Sequence, residues 1–126
     1  LHRRRHSFPT RRSSDLLCGK RIHLHLMCGD ASACLAQVNS KADAWFLDGF
    51  SPAKNPDMWQ AALFEQMARL SHTQTSFATF TSAGTVRRGL AAAGFQVNKK
   101  PGFGRKREMI FGCFTGTNLT GSNHDA

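Results

Sequence analysis

The sequence lacks any apolar run of the roughly 18 residues that a membrane-spanning helix needs. It also lacks the apolar stretch of a secretory signal peptide, since its first sixteen residues are rich in arginine. These absences exclude a membrane-spanning protein and predict a soluble, cytoplasmic one. With 126 residues, of which 40% are hydrophobic, the chain can form one small domain but not two.

Cysteine is scarce, and the few cysteines form no C-x-x-C pair. The four are Cys18, Cys28, Cys34 and Cys113. They predict reduced thiols in a cytosolic core rather than a disulfide scaffold. His23 and His25 come nearest to a zinc-ligand pair, but they alternate with apolar residues and are more simply one face of a strand. We therefore predict no metal site.

The net charge of +9 is unevenly distributed, because residues 1–16 carry +4 of it. This segment has no helical or strand periodicity, and at face value it is a basic arm able to bind phosphates. Residues 7–16 resemble the translation of a widely used sequencing adapter. We therefore expect residues 1–16 to be a non-native, disordered segment, residues 17–115 to form the fold, and residues 116–126 to be a linker or tail.

Strand and helix patterns alternate through the central part of the chain. The predicted strands are 20–28, 42–47, 76–81, 95–100 and 106–114, and the predicted helices are 31–38, 55–70 and 85–93. The last two strands are joined by a connection short enough only for an antiparallel hairpin. The pattern indicates an α/β sheet layered between helices, and its length suffices for about half of a doubly wound domain.

The most informative loop leaves the second of these strands, which we expect to be buried and parallel. It reads Asp-Gly-Phe-Ser-Pro-Ala-Lys-Asn-Pro from Asp48 to Pro56. Open α/β sheets place their ligands at the carboxyl ends of strands, and this loop puts a carboxylate, an aromatic ring and a rigid turn there. The alternative is a plain Asp-Gly turn stiffened by Pro52.

Three blocks of sequence together carry a family resemblance. They are residues 43–59, residues 79–90 and residues 102–109. In this order they closely resemble the methyltransferase domain of the bacterial bifunctional tRNA 5-methylaminomethyl-2-thiouridine biosynthesis proteins, the MnmC family, over about residues 22–114. The resemblance implies a truncated class I, Rossmann-like fold with parallel strands and a C-terminal antiparallel hairpin.

The resemblance also implies an activity and its cofactors. The family methylates the amine of 5-aminomethyl-(2-thio)uridine at the tRNA wobble position with S-adenosylmethionine, and a fused FAD-dependent oxidoreductase domain follows in the complete protein. In the usual strand order 3-2-1-4-5-7-6, this chain would supply strands 3 to 7. The first two strands, with the main glycine-rich cofactor loop, do not occur in this sequence, so we expect the chain to be inactive alone.

The resemblance assigns roles to residues near the loop. Asp48 would bind the substrate amine and take its proton, and Phe50 would pack against the base or the methyl sulfonium. Pro52 would hold the loop near the cofactor. Asp30 and Ala31 match the Gly-Asp-Ala element that borders the adenine, although Asp30 equally fits a plain helix cap.

Several basic residues and one aromatic residue predict contacts with a tRNA anticodon arm, which is the expected partner. The candidates are Lys54, Arg87, Phe103, Arg105, Lys106 and Arg107. Lys99 and Lys100 lie at the same hairpin tip as the last four candidates and are further possible phosphate contacts. A solvated basic hairpin is the alternative for this whole group. Two other functions stay open: a stand-alone basic RNA-binding module, and a methyltransferase of the same fold that acts on a small amine or a protein.

Overall fold

A computed structural model describes residues 10–17, 20–49, 51–102, 104 and 108–116. Its elements are β1 (Thr10–Leu17), β2 (Lys20–Met27), α1 (Ala31–Leu35), β3 (Ala42–Leu47), α2 (Ala61–Arg69), β4 (Ser71–Thr79), α3 (Gly84–Ala93), β5 (Phe95–Pro101) and β6 (Glu108–Phe114). The alternation of strands and helices confirms the predicted α/β class.

The main sheet has four strands in the order β3-β4-β6-β5. β3 and β4 are parallel, whereas β6 runs antiparallel to both of its neighbours. This arrangement confirms the predicted C-terminal hairpin. It also reproduces the last four positions, 4-5-7-6, of the strand order that the family resemblance implies.

The first two strands form a separate sheet. β1 pairs with β2 in an antiparallel ladder from Thr10–Met27 to Leu17–Lys20. The expectation of a disordered segment is therefore wrong for residues 10–16, and residues 1–9 lie outside the described part. The predicted strand at 20–28 exists, but it does not join the main sheet. In the expected strand order, two further strands would lie between β2 and β3. The two strands are therefore not expected to pair with each other directly.

β3 lies at the edge of the main sheet and is less buried than its sequence predicts. The ring nitrogen Trp45 Nε1 donates to Ser71 Oγ (2.9 Å), and Thr75 Oγ1 donates to Ala42 O (2.6 Å), which ties β3 to β4 around a register shift. Phe46, however, is 83% exposed. The apolar run predicted a buried strand, but among the described strands β3 has a neighbour on one side only.

The helix expected from Asn55 begins later, at Ala61. Residues 51–59 instead make isolated turns, in which Lys54 N and Asn55 N donate to Ser51 O and Trp59 N donates to Pro56 O. Gln60 is extended and makes no side-chain cap, so it separates these turns from α2. The predicted apolar face is nevertheless confirmed, since its main members are buried: Trp59, Leu63, Met67 and Leu70.

The core lies between the helices and one face of the main sheet. It consists of Trp59, Leu63, Phe64, Met67, Phe77, Val86, Leu90, Phe95 and Ile110. Phe95 is 2% exposed and makes edge contacts with Phe77 and Phe114. Apart from Met109, the strand residues of the opposite face are half-buried or exposed, so the described helices cover one face where two layers were expected.

Two glycines allow this packing. Gly94 closes α3 with a φ of 107°, in the left-handed region that favours glycine, as its position after the helix predicts. Gly112 lies in β6, where a Cβ would stand 1.7 Å from Gln96 O and 2.9 Å from Phe77 Cε1. Only hydrogen fits there, because the Phe77 ring and the neighbouring strand occupy the space that a side chain would need.

Candidate functional site

The strand register brings the carboxyl end of β3 beside the end of β4. Leu47 pairs with Thr79, Thr79 with Ile110, and Ile110 with Lys99, so these four residues form one row across the sheet. Asp48 follows this row directly and is exposed. The predicted carboxylate therefore lies at the sheet edge where open α/β folds bind ligands.

An apolar cavity of about 280 Å³ adjoins Asp48 on the open face of the sheet. Its wall is almost entirely hydrophobic and comes from three strand ends: Phe46, Leu47, Asp48, Ala78, Thr79, Phe80 and Met109. A pocket with apolar walls and a single carboxylate suits a flat or apolar group that carries one polar or cationic atom. The carboxylate supplies the orientation, and the apolar side chains supply the packing surface.

Asp48 also lines a second cavity, of about 140 Å³. It shares Leu47, Asp48, Thr79 and Phe80 with the first cavity and adds Gly49, Ser51, Trp59 and Thr81. The loop is close-packed here, since a Cβ on Gly49 would stand 2.8 Å from Met58 Cε. Asp48 thus contributes to the walls of both cavities.

Within the described residues, the Asp48 side chain takes part in no hydrogen bond or ion pair. A carboxylate with open lone pairs can accept hydrogen bonds from an ammonium group or take a proton from it. By contrast, Asp43 on the same strand is engaged with His72, with Oδ1 and Nε2 2.7 Å apart.

Asp30 is a helix cap in this structure. Its Oδ2 accepts a hydrogen bond from Ala33 N (3.0 Å) at the start of α1, which confirms the capping interpretation. Neither cavity at Asp48 is lined by Asp30, Ala31 or Pro52. The structure does not gather these three predicted cofactor residues around Asp48, so their cofactor role stays a prediction.

The predicted tRNA contacts are only partly described. Lys54 is exposed in the turn after Ser51, and Arg87 is half-buried on α3 with Nε donating to Ser82 O (3.1 Å). Five further predicted site residues lie outside the described residues: Phe50, Phe103, Arg105, Lys106 and Arg107. Their roles remain predictions.

The cysteines differ in their surroundings. Cys34 is a buried residue of α1, Cys113 is half-buried, and Cys28 is exposed just after β2. The expectation of core thiols is therefore wrong for Cys28. Burial raises the pKa of the Cys34 thiol above its ordinary value, and the charges of Asp30 and Cys28 add to the increase. Cys18 lies outside the described residues.

Several site residues have no role in the sequence-based interpretation. Thr79 and Phe80 end the strand next to β3, and Phe46 and Met109 complete the cavity wall. The sequence could have indicated Thr79 and Phe80, because neighbouring parallel strands end at the same edge of a sheet and these residues end the strand that follows β3. The position of Met109 depends on β6 running antiparallel beside β4, which strand patterns alone do not reveal.

Metal ligands do not converge anywhere in the described part of the chain. No group of three or more His, Cys, Asp or Glu side chains comes together there as a metal site would require. No helix within the described ranges has the length and hydropathy of a membrane span.

Comparison with known proteins identifies relatives at high identity. The chain is 60% identical over 100 residues to the tRNA 5-methylaminomethyl-2-thiouridine biosynthesis bifunctional protein MnmC of Methylobacillus flagellatus, and 64% identical over 97 residues to that of Chromobacterium violaceum. These alignments cover 79% and 77% of this chain but 16% and 15% of the relatives. The chain therefore spans about a sixth of the length of the curated relatives it matches.

A solved structure shares the fold. The crystal structure of MNMC2 from Aquifex aeolicus superimposes with a TM-score of 0.62 at 32% identity, covering 71% of this chain and 30% of that one. A family of S-adenosyl-L-methionine-dependent methyltransferases matches residues 4–115. This match begins inside the segment 1–16, whose adapter origin stays a prediction. Because the match spans most of its length, the chain belongs to the S-adenosyl-L-methionine-dependent methyltransferase family.

Proposed function

We propose that the complete protein methylates the primary amine of a 5-aminomethyl-(2-thio)uridine at the wobble position of tRNA, and that this chain supplies the Asp48 side of its active site. The single observation that carries the proposal is the Asp48 carboxylate, which is unpaired among the described residues and lines two cavities at the carboxyl end of β3. The names of the curated relatives support the choice of substrate.

The chemistry of an amine substrate explains why a carboxylate is needed. A primary alkylamine is mostly protonated near neutral pH, and an ammonium nitrogen has no lone pair with which to form a new bond to carbon. Asp48 can bind this ammonium group, receive its proton and hold the nitrogen in a fixed direction. The apolar side chains of Phe46, Ala78 and Phe80 line the cavity beside the carboxylate, where the rest of the substrate can pack.

The residues present fit one side of a methyl-donor site. S-adenosylmethionine, when bound, supplies a methyl group made electrophilic by a sulfonium. A positively charged group of this kind is favoured beside a carboxylate and aromatic side chains, and Asp48 and Phe80 provide both. The glycine-rich loop that holds the cofactor in class I methyltransferases does not occur in this sequence. We therefore propose that the chain alone does not bind the cofactor with micromolar affinity, which isothermal calorimetry measures directly.

The proposal extends to the setting of the reaction. A tRNA substrate places the complete protein in the cytoplasm, and the bifunctional names of the relatives support a fused oxidoreductase domain that uses FAD. Phe50 remains assigned to base stacking and Pro52 to the loop shape.

A chimera tests the proposed function. Residues 22–114 replace the matching segment of the Chromobacterium violaceum MnmC protein, and methyl transfer from labelled S-adenosylmethionine to tRNA bearing 5-aminomethyluridine is measured. We expect transfer by the chimera and a loss of about 100-fold or more in kcat with Asp48→Asn, since general-base residues contribute factors of about 100 to 10,000.

Asp57→Asn is the matched control, because Asp57 is an exposed acid on the same loop that lines neither cavity. It should leave kcat within about twofold, as is usual for surface substitutions. Full transfer by the Asp48→Asn chimera would refute the assignment of the proton acceptor.

A further inference from the structure

A third cavity, separate from Asp48, is lined by cations. It has a volume of about 250 Å³ and lies between α3 and β5. Its lining residues are Arg87, Arg88, Ala91, Val97 and Lys99, which we call the cationic groove. Three positive charges meet here with two apolar residues, and none of the described residues in the wall is an acid. Like charges held together repel one another, so such a groove attracts anions strongly.

The local contacts hold the groove in shape. Arg87 Nε donates to Ser82 O (3.1 Å), which restrains the guanidinium and leaves its two outer nitrogens as further donors. Arg88 is exposed and folds back over Gly84, where a Cβ would stand 2.8 Å from its Nη1. A guanidinium held in this way can bind two phosphate oxygens at once.

One acid lies near the groove. Glu108 Oε1 is 3.9 Å from Lys99 Nζ, and both side chains are about half exposed. An exposed pair at this distance is weak and screened by salt. Lys99 can therefore exchange this partner for a phosphate at small cost.

The sheet register fixes the distance of the groove from Asp48. Lys99 lies in the same row as Leu47, the residue before Asp48, with β4 and β6 between them. Three strand spacings of about 4.8 Å give about 14 Å. A stacked strand of nucleic acid advances about 3.4 Å per nucleotide, so this distance corresponds to about four nucleotides.

We propose that the cationic groove binds backbone phosphates of the RNA about four nucleotides, or fewer where the strand is extended, from the nucleotide at Asp48. This proposal rests on the proposed function, since it takes the substrate to be RNA. The groove positions the strand, because contacts with backbone phosphates carry no sequence information.

Salt-dependent binding tests the proposal on the full chain. The affinity for an anticodon stem-loop RNA is measured by fluorescence anisotropy between about 50 and 200 mM salt, without methyl donor. Each lost phosphate contact on a single strand lowers the slope of log affinity against log salt by about 0.7. Arg88→Gln with Lys99→Gln should therefore lower the slope by about 1.4 and the affinity at 100 mM salt by about 25-fold.

The double variant Arg21→Gln with Lys41→Gln is the matched control. It removes the same charge from the separate β1–β2 sheet and from the opposite end of β3. We expect its affinity to change by about threefold or less. Glu108→Gln should tighten binding, because it releases Lys99. Circular dichroism confirms that each variant is folded.

The outcomes separate the two proposals. Equal losses in both double variants would show attraction by net charge alone and overturn the groove, as would a chain that binds no RNA at about 50 mM salt. A chimera that methylates tRNA with an unchanged KM after Arg88→Gln and Lys99→Gln would also overturn it. If the chain binds RNA through the groove while the chimera transfers no methyl group, the proposed function fails and the groove stands.

Discussion

Gly112 in β6 offers the sharpest test of how the sheet holds its site together. A Cβ at this position would lie 1.7 Å from Gln96 O, whereas real Cβ contacts are essentially never shorter than 3.0 Å. Gly112→Ala must therefore move β6 and β5 apart by about 1.3 Å. Hydrogen bonds of about 2.9 Å lengthened by this amount exceed the usual limit and are lost.

The expected cost follows from these displacements. Losing about two ladder hydrogen bonds costs about 2 kcal/mol, and overpacking against the Phe77 ring adds about 1 to 3 kcal/mol. We expect Gly112→Ala to lower the free energy of unfolding by about 3 to 5 kcal/mol, a large share of the roughly 5 to 15 kcal/mol typical of a domain. Urea denaturation followed by the fluorescence of Trp45 and Trp59 measures it.

Gly104→Ala is the matched control, because Gly104 has a φ of 61° but no atom of the described residues lies within 4 Å of the place that an alanine methyl would take. The left-handed backbone alone costs an alanine about 1 kcal/mol. A Gly112→Ala chain that is no less stable than the Gly104→Ala chain would refute the close approach of β5 and β6.

Two further predictions concern stability. Arg69 Nη2 donates to Leu35 O (2.9 Å) and Val38 O (2.8 Å), so Arg69→Gln should lower the free energy of unfolding by about 1 to 3 kcal/mol in urea titrations, whereas exposed Glu65→Gln should change it little. Because folding raises the pKa of Cys34, the protonated thiol contributes fully to the free energy of unfolding below its ordinary pKa. This contribution falls as the pH rises above about 9. Cys34→Ala should flatten this alkaline decline in thermal unfolding measured against pH, and an unchanged decline would contradict the effect.

The sequence predicts the main sheet well where local chemistry decides the structure. Gly94 ends α3 because a left-handed residue must follow the helix, and the short connection after Pro101 permits only a hairpin. The apolar spacing of α2 identifies its buried face. These features depend on residues that are close in the sequence, so the sequence pattern alone predicts them.

The predictions from the sequence fail where contacts between distant parts of the chain decide the structure. An apolar run such as that of β3 predicts burial on both faces, but the described helices cover one face only, and Phe46 on the other face is 83% exposed. Likewise, Asn55 and Pro56 are good starting residues for a helix, yet the packing of Met58 against Gly49 holds this segment as turns. Asp48 was identifiable because strand ends follow from local pattern, while Met109 was not, since it reaches the cavity only through the pairing of β6 with β4.

The exposed side of β3 also affects how the chain behaves in solution. Its outward backbone groups form a row of donors and acceptors that a second strand can match, and Phe46 gives that strand an apolar surface to cover. At high concentration we expect the chains to self-associate through this edge strand, so the turbidity of the sample should rise with protein concentration. Phe46→Lys should suppress this rise.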